Sequence, residues 1–290
     1  MIAILVLLMG VVWGSFVNAL VWRIRVQEDA AEASSDTKPS NTSSHQTQGR
    51  PSAHDYSILR GRSMCPRCHH KLAAKDLVPI LSWLQLHGRC RYCRKPISLQ
   101  YPLVELLTGL VFVIFYLGWQ FSLSGLHLVW FLYGLAYLVF FVALAVYDFK
   151  WMLLPDRLVF PLTALALSQA LVSGIYMQSW DALWQPFAGA GIIFSIFWGI
   201  YQLSDGEWIG GGDVKLAVPL GLIAGTPLRA LLVVFIASLI GTITSLPGLI
   251  RAKQTGWTRH IPFGPYLLAG CLIVMLWADK IVTWYQGMLL

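Results

Sequence analysis

Eight apolar stretches, at roughly 1–22, 101–118, 126–147, 158–177, 187–203, 214–225, 230–250 and 263–283, dictate what this chain can become. A hydrocarbon core about 30 Å thick takes ~20 apolar residues of helix to cross, and most of these stretches reach or approach that length. Inside lipid every backbone amide must be paired within the chain, so long continuous apolar runs are helices. Only 12% of the residues are charged, against about 25% in an ordinary soluble domain. The expected fold is therefore an all-α polytopic membrane protein with about eight transmembrane helices. The opening MIAILVLLMGVVWGSFVNALVW lacks a basic n-region and a convincing small-residue cleavage site, so it reads as a retained helix and not a signal peptide. One crossing is weak. Stretch 214–225 is too short to span at ~1.5 Å per residue and Pro219 interrupts it, so it is a half-helix or is joined closely to 230–250. A broken helix of this kind survives only where protein or a polar cavity surrounds it.

Charge sets the orientation. Thirteen of the 21 Lys and Arg residues fall between Arg23 and Lys95, which makes that loop cytoplasmic and the N-terminus external. Successive crossings then put 148–157, 204–213 and 251–262 inside, the first with Lys150 and Arg157 and the last with Arg251, Lys253 and Arg259. Loops 119–125 and 178–186 carry no Lys or Arg, as outer loops should. The net charge of +7 thus faces anionic lipid, and a nucleic-acid partner is not expected. The thirteen Trp residues fit interfacial belts and require no cofactor.

Between residues 27 and 57 the composition turns to Ser, Thr, Gln, Asp and Ala, too polar to form a core, and reads as a flexible insertion in which His45 and His54 are solvated. No internal repeat is evident. The chain divides into a first helix (1–26), this insertion (27–57), a four-cysteine module (58–100) and a membrane core (101–290).

The module reads MCPRCHHKLAAKDLVPILSWLQLHGRCRYCRKPIS, with Cys65-x2-Cys68, a gap of 21 residues and Cys90-x2-Cys93. Two such turns can bring four thiolates to one tetrahedral Zn²⁺, a zinc-ribbon-like arrangement on the cytoplasmic, reducing side. The alternative is a pair of redox-active or idle CxxC motifs. Zinc is preferred because a short loop with few hydrophobes needs a staple to fold. His69, His70 and His87 read as surface residues, since four cysteines fill the shell. Cys271 reads as a small buried apolar residue.

Asp148 sits at the inner end of the third apolar segment, Asp156 at the start of the fourth, and Asp213 after the fifth. Two crossings separate Asp148 from Asp213, so both reach the same membrane boundary. Two carboxylates meeting in a partly dehydrated place cannot both ionise easily and come to share a proton, which is the equipment of an aspartic protease. Gly210 to Gly212 would permit a close backbone approach and backbone conformations closed to other residues. The alternative makes Asp213 a helix cap, pairs Asp148 with Lys150 or Lys215, and leaves the glycines as a turn. Asp156, Asp205 and Glu207 are rival carboxylates. Lys215 could orient Asp213 or reach lipid phosphate. Asn18 and Glu105, inside apolar segments, could line a channel or hydrogen-bond between helices.

Six ordered motifs extend from Gly14 to Gly270: GSFVNALVWR, the two CxxC pairs, ISLQYPLVELLTG, YDFKWMLLPD, GGGDVKLA and IPFGPYLLAG. Together they resemble the bacterial type IV prepilin peptidases, GxGD-type membrane aspartic proteases of type IV pilus and type II secretion systems. The resemblance implies that Asp148 and Asp213 are catalytic, that Gly210 and Gly212 are the GxGD glycines, and that Asp156 is structural. It implies cleavage of the basic leader of prepilins or pseudopilins, after a glycine, at the cytoplasmic face of the inner membrane. Methylation of the new N-terminal amine with S-adenosylmethionine would follow, usually on phenylalanine, and is associated with the cysteine module. The chain departs from the family in the polar insertion and in reading LQLHGRC where many members read LRGRC. Both departures lie away from the aspartates, in the part tied to methylation, and no glycine-rich nucleotide fingerprint marks an S-adenosylmethionine site. The competing readings are a leader peptidase without methylation, like the archaeal preflagellin peptidases, and a non-enzymatic zinc-dependent scaffold or transporter.

Overall fold

A computed structural model describes residues 1–35, 63–255 and 262–289. His45, His54, Arg259 and most of the polar insertion lie outside the described residues. Within them are helices, one short 3₁₀ turn (Ala74–Asp76) and two isolated β-bridges, with no strands. In chain order the helices are α1 (Ile2–Ser35), α2 (Leu81–Gln85), α3 (Gln100–Gly118), α4 (Gly125–Trp151) and α5 (Asp156–Met177), then α6 (Trp180–Leu203), α7 (Gly211–Ala224), α8 (Pro227–Thr255) and α9 (Gly264–Leu289). Seven of them, all but α2 and α7, are long and apolar enough to cross a membrane.

The eighth apolar stretch forms α7, whose 14 residues span only about 21 Å. It packs against α5, α6, α8 and α9, with Leu216, Ala217 and Leu220 fully buried. The protein shelter that a short helix interrupted by Pro219 demands is therefore present.

One boundary differs from the sequence reading. Helix α1 does not stop near residue 26 but continues to Ser35, nine residues into the stretch read as a flexible insertion. Low apolar content rules out a core but not a helix. EDAAEA is rich in strong helix formers, and Arg25 pairs with Asp29 one turn on at 2.7 Å.

The chain forms two compact units, Met1–Tyr116 and Leu117–Leu290. In the first, α1 and α3 lie in backbone contact. A Cβ on Gly10 would come within 2.8 Å of the Gly109 Cα, and one on Gly14 within 2.6 Å of the Glu105 Cα. Gly10-x3-Gly14 is thus a small-residue seam of the sort that joins membrane helices. Asn18 adds a hydrogen bond across it, its Nδ2 donating to the Tyr101 carbonyl at 3.0 Å. The second unit uses the same device. A Cβ on Gly221 of α7 would lie 2.4 Å from the Ala190 Cα of α6, and one on Gly270 of α9 would lie 2.7 Å from the Val233 carbonyl of α8.

Candidate active site and metal centre

In the second unit, Asp148 occupies the last turn of α4. The helix closes on Met152 in the left-handed conformation (φ 54°), whose N–H donates to the Asp148 carbonyl at 2.8 Å. The Asp148 side chain is buried and its carboxylate accepts the N–H of Gly264, the first residue of α9. An anion at a helix N-terminus meets both an unsatisfied amide and the positive end of the helix dipole. The fit allows nothing larger than hydrogen: a Cβ on Gly264 would stand 2.5 Å from the Asp148 Oδ2.

Asp213 is the third residue of α7, and its carboxylate accepts the N–H of Gly210, the helix N-cap. This reach back from the third position is half of a capping box and fixes the side chain beside the start of the helix. The helix-terminus role weighed as an alternative is therefore real, but Asp213 is also close enough to Asp148 for the two charges to interact. The fold has brought together two carboxylates that are 65 positions apart (213 − 148). Leu154, in the short link from α4 to α5, holds the two sides in register. A Cβ on Gly212 would lie 3.1 Å from its Cβ, and one on Gly264 would lie 3.6 Å from its Cδ1.

The expected reason for the three glycines is half correct. Gly210 is extended (φ −70°, ψ 142°), and none of Gly210, Gly211 and Gly212 has a positive φ. A helix N-cap takes the β region, open to any residue, so conformational freedom is not what the segment uses. Close approach is, at Gly212 against Leu154. The tightest glycine beside the two carboxylates is Gly264, which the sequence reading did not single out, although it lies inside the quoted IPFGPYLLAG.

The rival carboxylates are accounted for. Asp156 is about half exposed and pairs with Lys215 at 2.7 and 3.0 Å. Lys215 therefore neither orients Asp213 nor pairs with Asp148, and Lys150 lies over the Trp151 ring. Asp205 and Glu207 are exposed.

In the first unit the sulfurs of Cys65, Cys68, Cys90 and Cys93 all lie within 4.8 Å of one another, and all four cysteines are free. The two turns are copies offset by 25 residues. The Cys65 amide donates to the His70 carbonyl at 3.0 Å and the Cys90 amide to the Lys95 carbonyl at 2.9 Å. His69 and Arg94 both have positive φ, and the bridges are Met64 with Lys71 and Arg89 with Pro96. An internal repeat thus exists where none was expected, because it resides in backbone turns and not in the intervening side chains. Sulfurs around one tetrahedral Zn²⁺ at ~2.3 Å stand ~3.8 Å apart, and the Cys65 and Cys93 sulfurs are 4.0 Å apart, so the donor set fits the ion.

Burial pushes the Cys65 thiol up to about 12, whereas the backbone hydrogen bond at Lys95 draws the Cys93 thiol down to about 7. His69, His70 and His87 are exposed, as expected, and the His70 ring lies against Tyr92 at a tilt of 33°. Asp76 ties the two turns together, a role with no sequence signal. It accepts from Arg91 Nε at 2.6 Å, from Tyr92 at 3.0 Å and from the Ala73 amide at 3.2 Å. Burial alone would raise its carboxyl, but these hydrogen bonds outweigh burial and hold it below the usual range. Glu105 is buried, accepts the Ile80 amide at 2.6 Å and is hydrogen-bonded by the Ser15 side chain of α1, so it links α3 both to the module and to another helix.

Comparison with known proteins bears on both units. Residues 8–119 match the Bacterial Peptidase A24 N-terminal domain, and residues 135–246 match the Type IV leader peptidase family. The chain is 37% identical over 291 residues to a prepilin leader peptidase/N-methyltransferase of Aeromonas salmonicida, covering 99% of this chain and 94% of that one. It is 37% identical over 289 residues to the Aeromonas hydrophila protein of the same name (97% and 92%) and 32% identical over 284 residues to that of Pseudomonas aeruginosa (96% and 91%). No solved structure matches the chain.

Proposed function

Because the chain belongs to the prepilin leader peptidase/N-methyltransferase family, we propose that it cleaves the leader of type IV prepilins or pseudopilins and methylates the amine so released. The observation that carries the peptidase reading is the meeting of Asp148 and Asp213 at the start of α7, with the Gly264 and Gly210 amides donating to them. The pair holds one proton between its two carboxylates. The ionised carboxylate takes a proton from water, and the water oxygen attacks the scissile carbonyl carbon while the protonated carboxylate donates to the carbonyl oxygen. Collapse of the resulting diol breaks the C–N bond, and a proton passes to the departing amine. Gly212 and Gly264 position the two acids, and Asp156 with Lys215 is structural.

Zinc held by Cys65, Cys68, Cys90 and Cys93 is structural in this reading, a closed four-thiolate shell with no open position for substrate. S-adenosylmethionine, bound by the same enzyme, supplies a methyl group on a sulfonium. Bound there, it would supply that methyl group to the neutral amine and leave as the thioether, with one proton released in total. Seven apolar helices and the basic first loop support placement in the bacterial inner membrane, N-terminus outside, with the dyad facing the cytoplasm. There the dyad meets the scissile bond just ahead of the pilin's own hydrophobic segment. Incubating the purified enzyme with a prepilin, with and without S-adenosylmethionine, and weighing the pilin N-terminus tests both activities. A mature pilin of unchanged mass when the donor is present would leave a peptidase alone. An uncleaved prepilin would remove the peptidase reading.

A further inference from the structure

The first unit contains a cleft bounded by α1, the start of α3 and the cysteine module, with about 150 Å³ open to the centres of water molecules. Adding a water radius of ~1.4 Å around that space gives an envelope on the order of 400 Å³, within the range of small-molecule sites. Its wall is built for a particular chemistry. The rings of Trp22, Trp83 and Tyr101 line it, and Trp83 is fixed by its indole N–H donating to the Ile97 carbonyl at 3.3 Å.

Among these rings lie two buried polar side chains, one of which has an acceptor that no donor among the described residues meets. Asn18 is 5% exposed, spends its Nδ2 on Tyr101, and leaves Oδ1 with no hydrogen-bond donor. An orphaned buried acceptor carries its full desolvation penalty unless something donates to it. Glu105 is 7% exposed and is met by the Ile80 amide and the Ser15 hydroxyl, on a helix that carries no Lys or Arg. Arg23 and Arg91 also line the cleft, and Arg91 is committed to Asp76. A ligand that suits this wall has a flat heteroaromatic body to lie among the rings, an N–H for the Asn18 Oδ1, and a positive charge for Glu105. An adenosyl sulfonium has all three.

We propose that this cleft is where the methyl donor binds, with Asn18 and Glu105 as its polar recognition residues and the aromatic rings holding the adenine. The proposal rests on the methyltransferase reading above and adds the location that no sequence fingerprint supplies. Its test uses the zinc-loaded full-length enzyme in detergent and S-adenosylhomocysteine and S-adenosylmethionine as probes. Binding is measured by calorimetry, and a photoactivatable azido-adenosyl analogue is mapped by mass spectrometry of the labelled peptides. Zinc content and thermal unfolding verify that each variant is folded.

Glu105→Gln should weaken S-adenosylmethionine, which carries the sulfonium, tenfold or more, and neutral-sulfur S-adenosylhomocysteine distinctly less. Ala19→Leu, which puts bulk into the cleft without touching a polar group, should weaken both probes alike, and the label should fall on α1, α3 or the module. If the parent binds and methylates while folded Glu105→Gln and Ala19→Leu proteins bind like the parent, or the label maps elsewhere, the cleft is not the donor site and the methyltransferase reading stands. If the parent binds neither probe and leaves cleaved pilin unmethylated, the methyltransferase reading fails and the assignment falls with it.

Discussion

Replacing Gly264 with alanine should be far more damaging than its distance in sequence from Asp148 or Asp213 suggests. The new Cβ would lie 2.5 Å from the Asp148 Oδ2, where ordinary contact begins at 3.4 Å, so the two must separate by 0.9 Å (3.4 − 2.5). The carboxylate has little room to yield because Asp148 is 4% exposed, and the glycine is the first residue of a long helix. Retreat of either partner also lengthens the hydrogen bond from the Gly264 amide. A misplacement of about 1 Å at a reacting group costs on the order of 100-fold in rate, whereas overpacking of this size typically costs ~1–3 kcal/mol in stability. The expected signature is therefore a folded enzyme whose kcat for leader cleavage drops about 100-fold with little change in KM. The glycines of the GxGD segment provide a graded comparison. Gly212→Ala meets Leu154 at 3.1 Å and should lose less, and Gly210→Ala meets Asp213 at 3.7 Å, an ordinary contact, and should lose least. Cleavage of a purified prepilin, followed by gel and by mass spectrometry, ranks the three. Parent-like cleavage by folded Gly264→Ala, or a ranking with Gly210→Ala worst, would refute the steric argument.

Zinc loading of the metal-free protein at neutral pH should release at least one proton per ion, because burial keeps the Cys65 thiol protonated up to about 12 and binding requires the thiolate; titration in buffers of different ionisation enthalpy counts the protons. Asp156→Asn should retain cleavage and shift stability by ~1 kcal/mol or less, since its partner Lys215 and it are both about half exposed; thermal unfolding measures the shift. Gly221→Ala should destabilise the second unit by more than Asp156→Asn does, because the added carbon would lie 2.4 Å from a backbone atom of α6, which cannot rotate away; the same unfolding assay decides.

The helices were legible because lipid imposes a single requirement on length and hydropathy, and the short α7 announced itself through its length and Pro219. Helix α1 runs past its expected end because the polarity of EDAAEA bears on burial and not on helix formation. The two acids could be paired by counting membrane crossings, a topological inference that needs no coordinates. Gly264 could not be found that way: its demand for a missing side chain arises from Asp148, more than a hundred positions earlier, and is a property of tertiary contact. The same holds for Asp76, one acid in a polar loop until Arg91 and Tyr92 fold onto it. Lys215 was open to several partners in sequence because its reach covers Asp156 and Asp213 alike, and only packing decides between them.

Leader cleavage by Asp148→Asn, Asp213→Asn and the double variant, measured side by side on one prepilin, tests the shared-proton pair most directly. Each single variant should insert, retain zinc and lose cleavage by several orders of magnitude, and the double variant should be no worse than the poorer single, because the two carboxylates act as one unit. Near-parent cleavage by either folded single variant, or losses that multiply in the double, would contradict it.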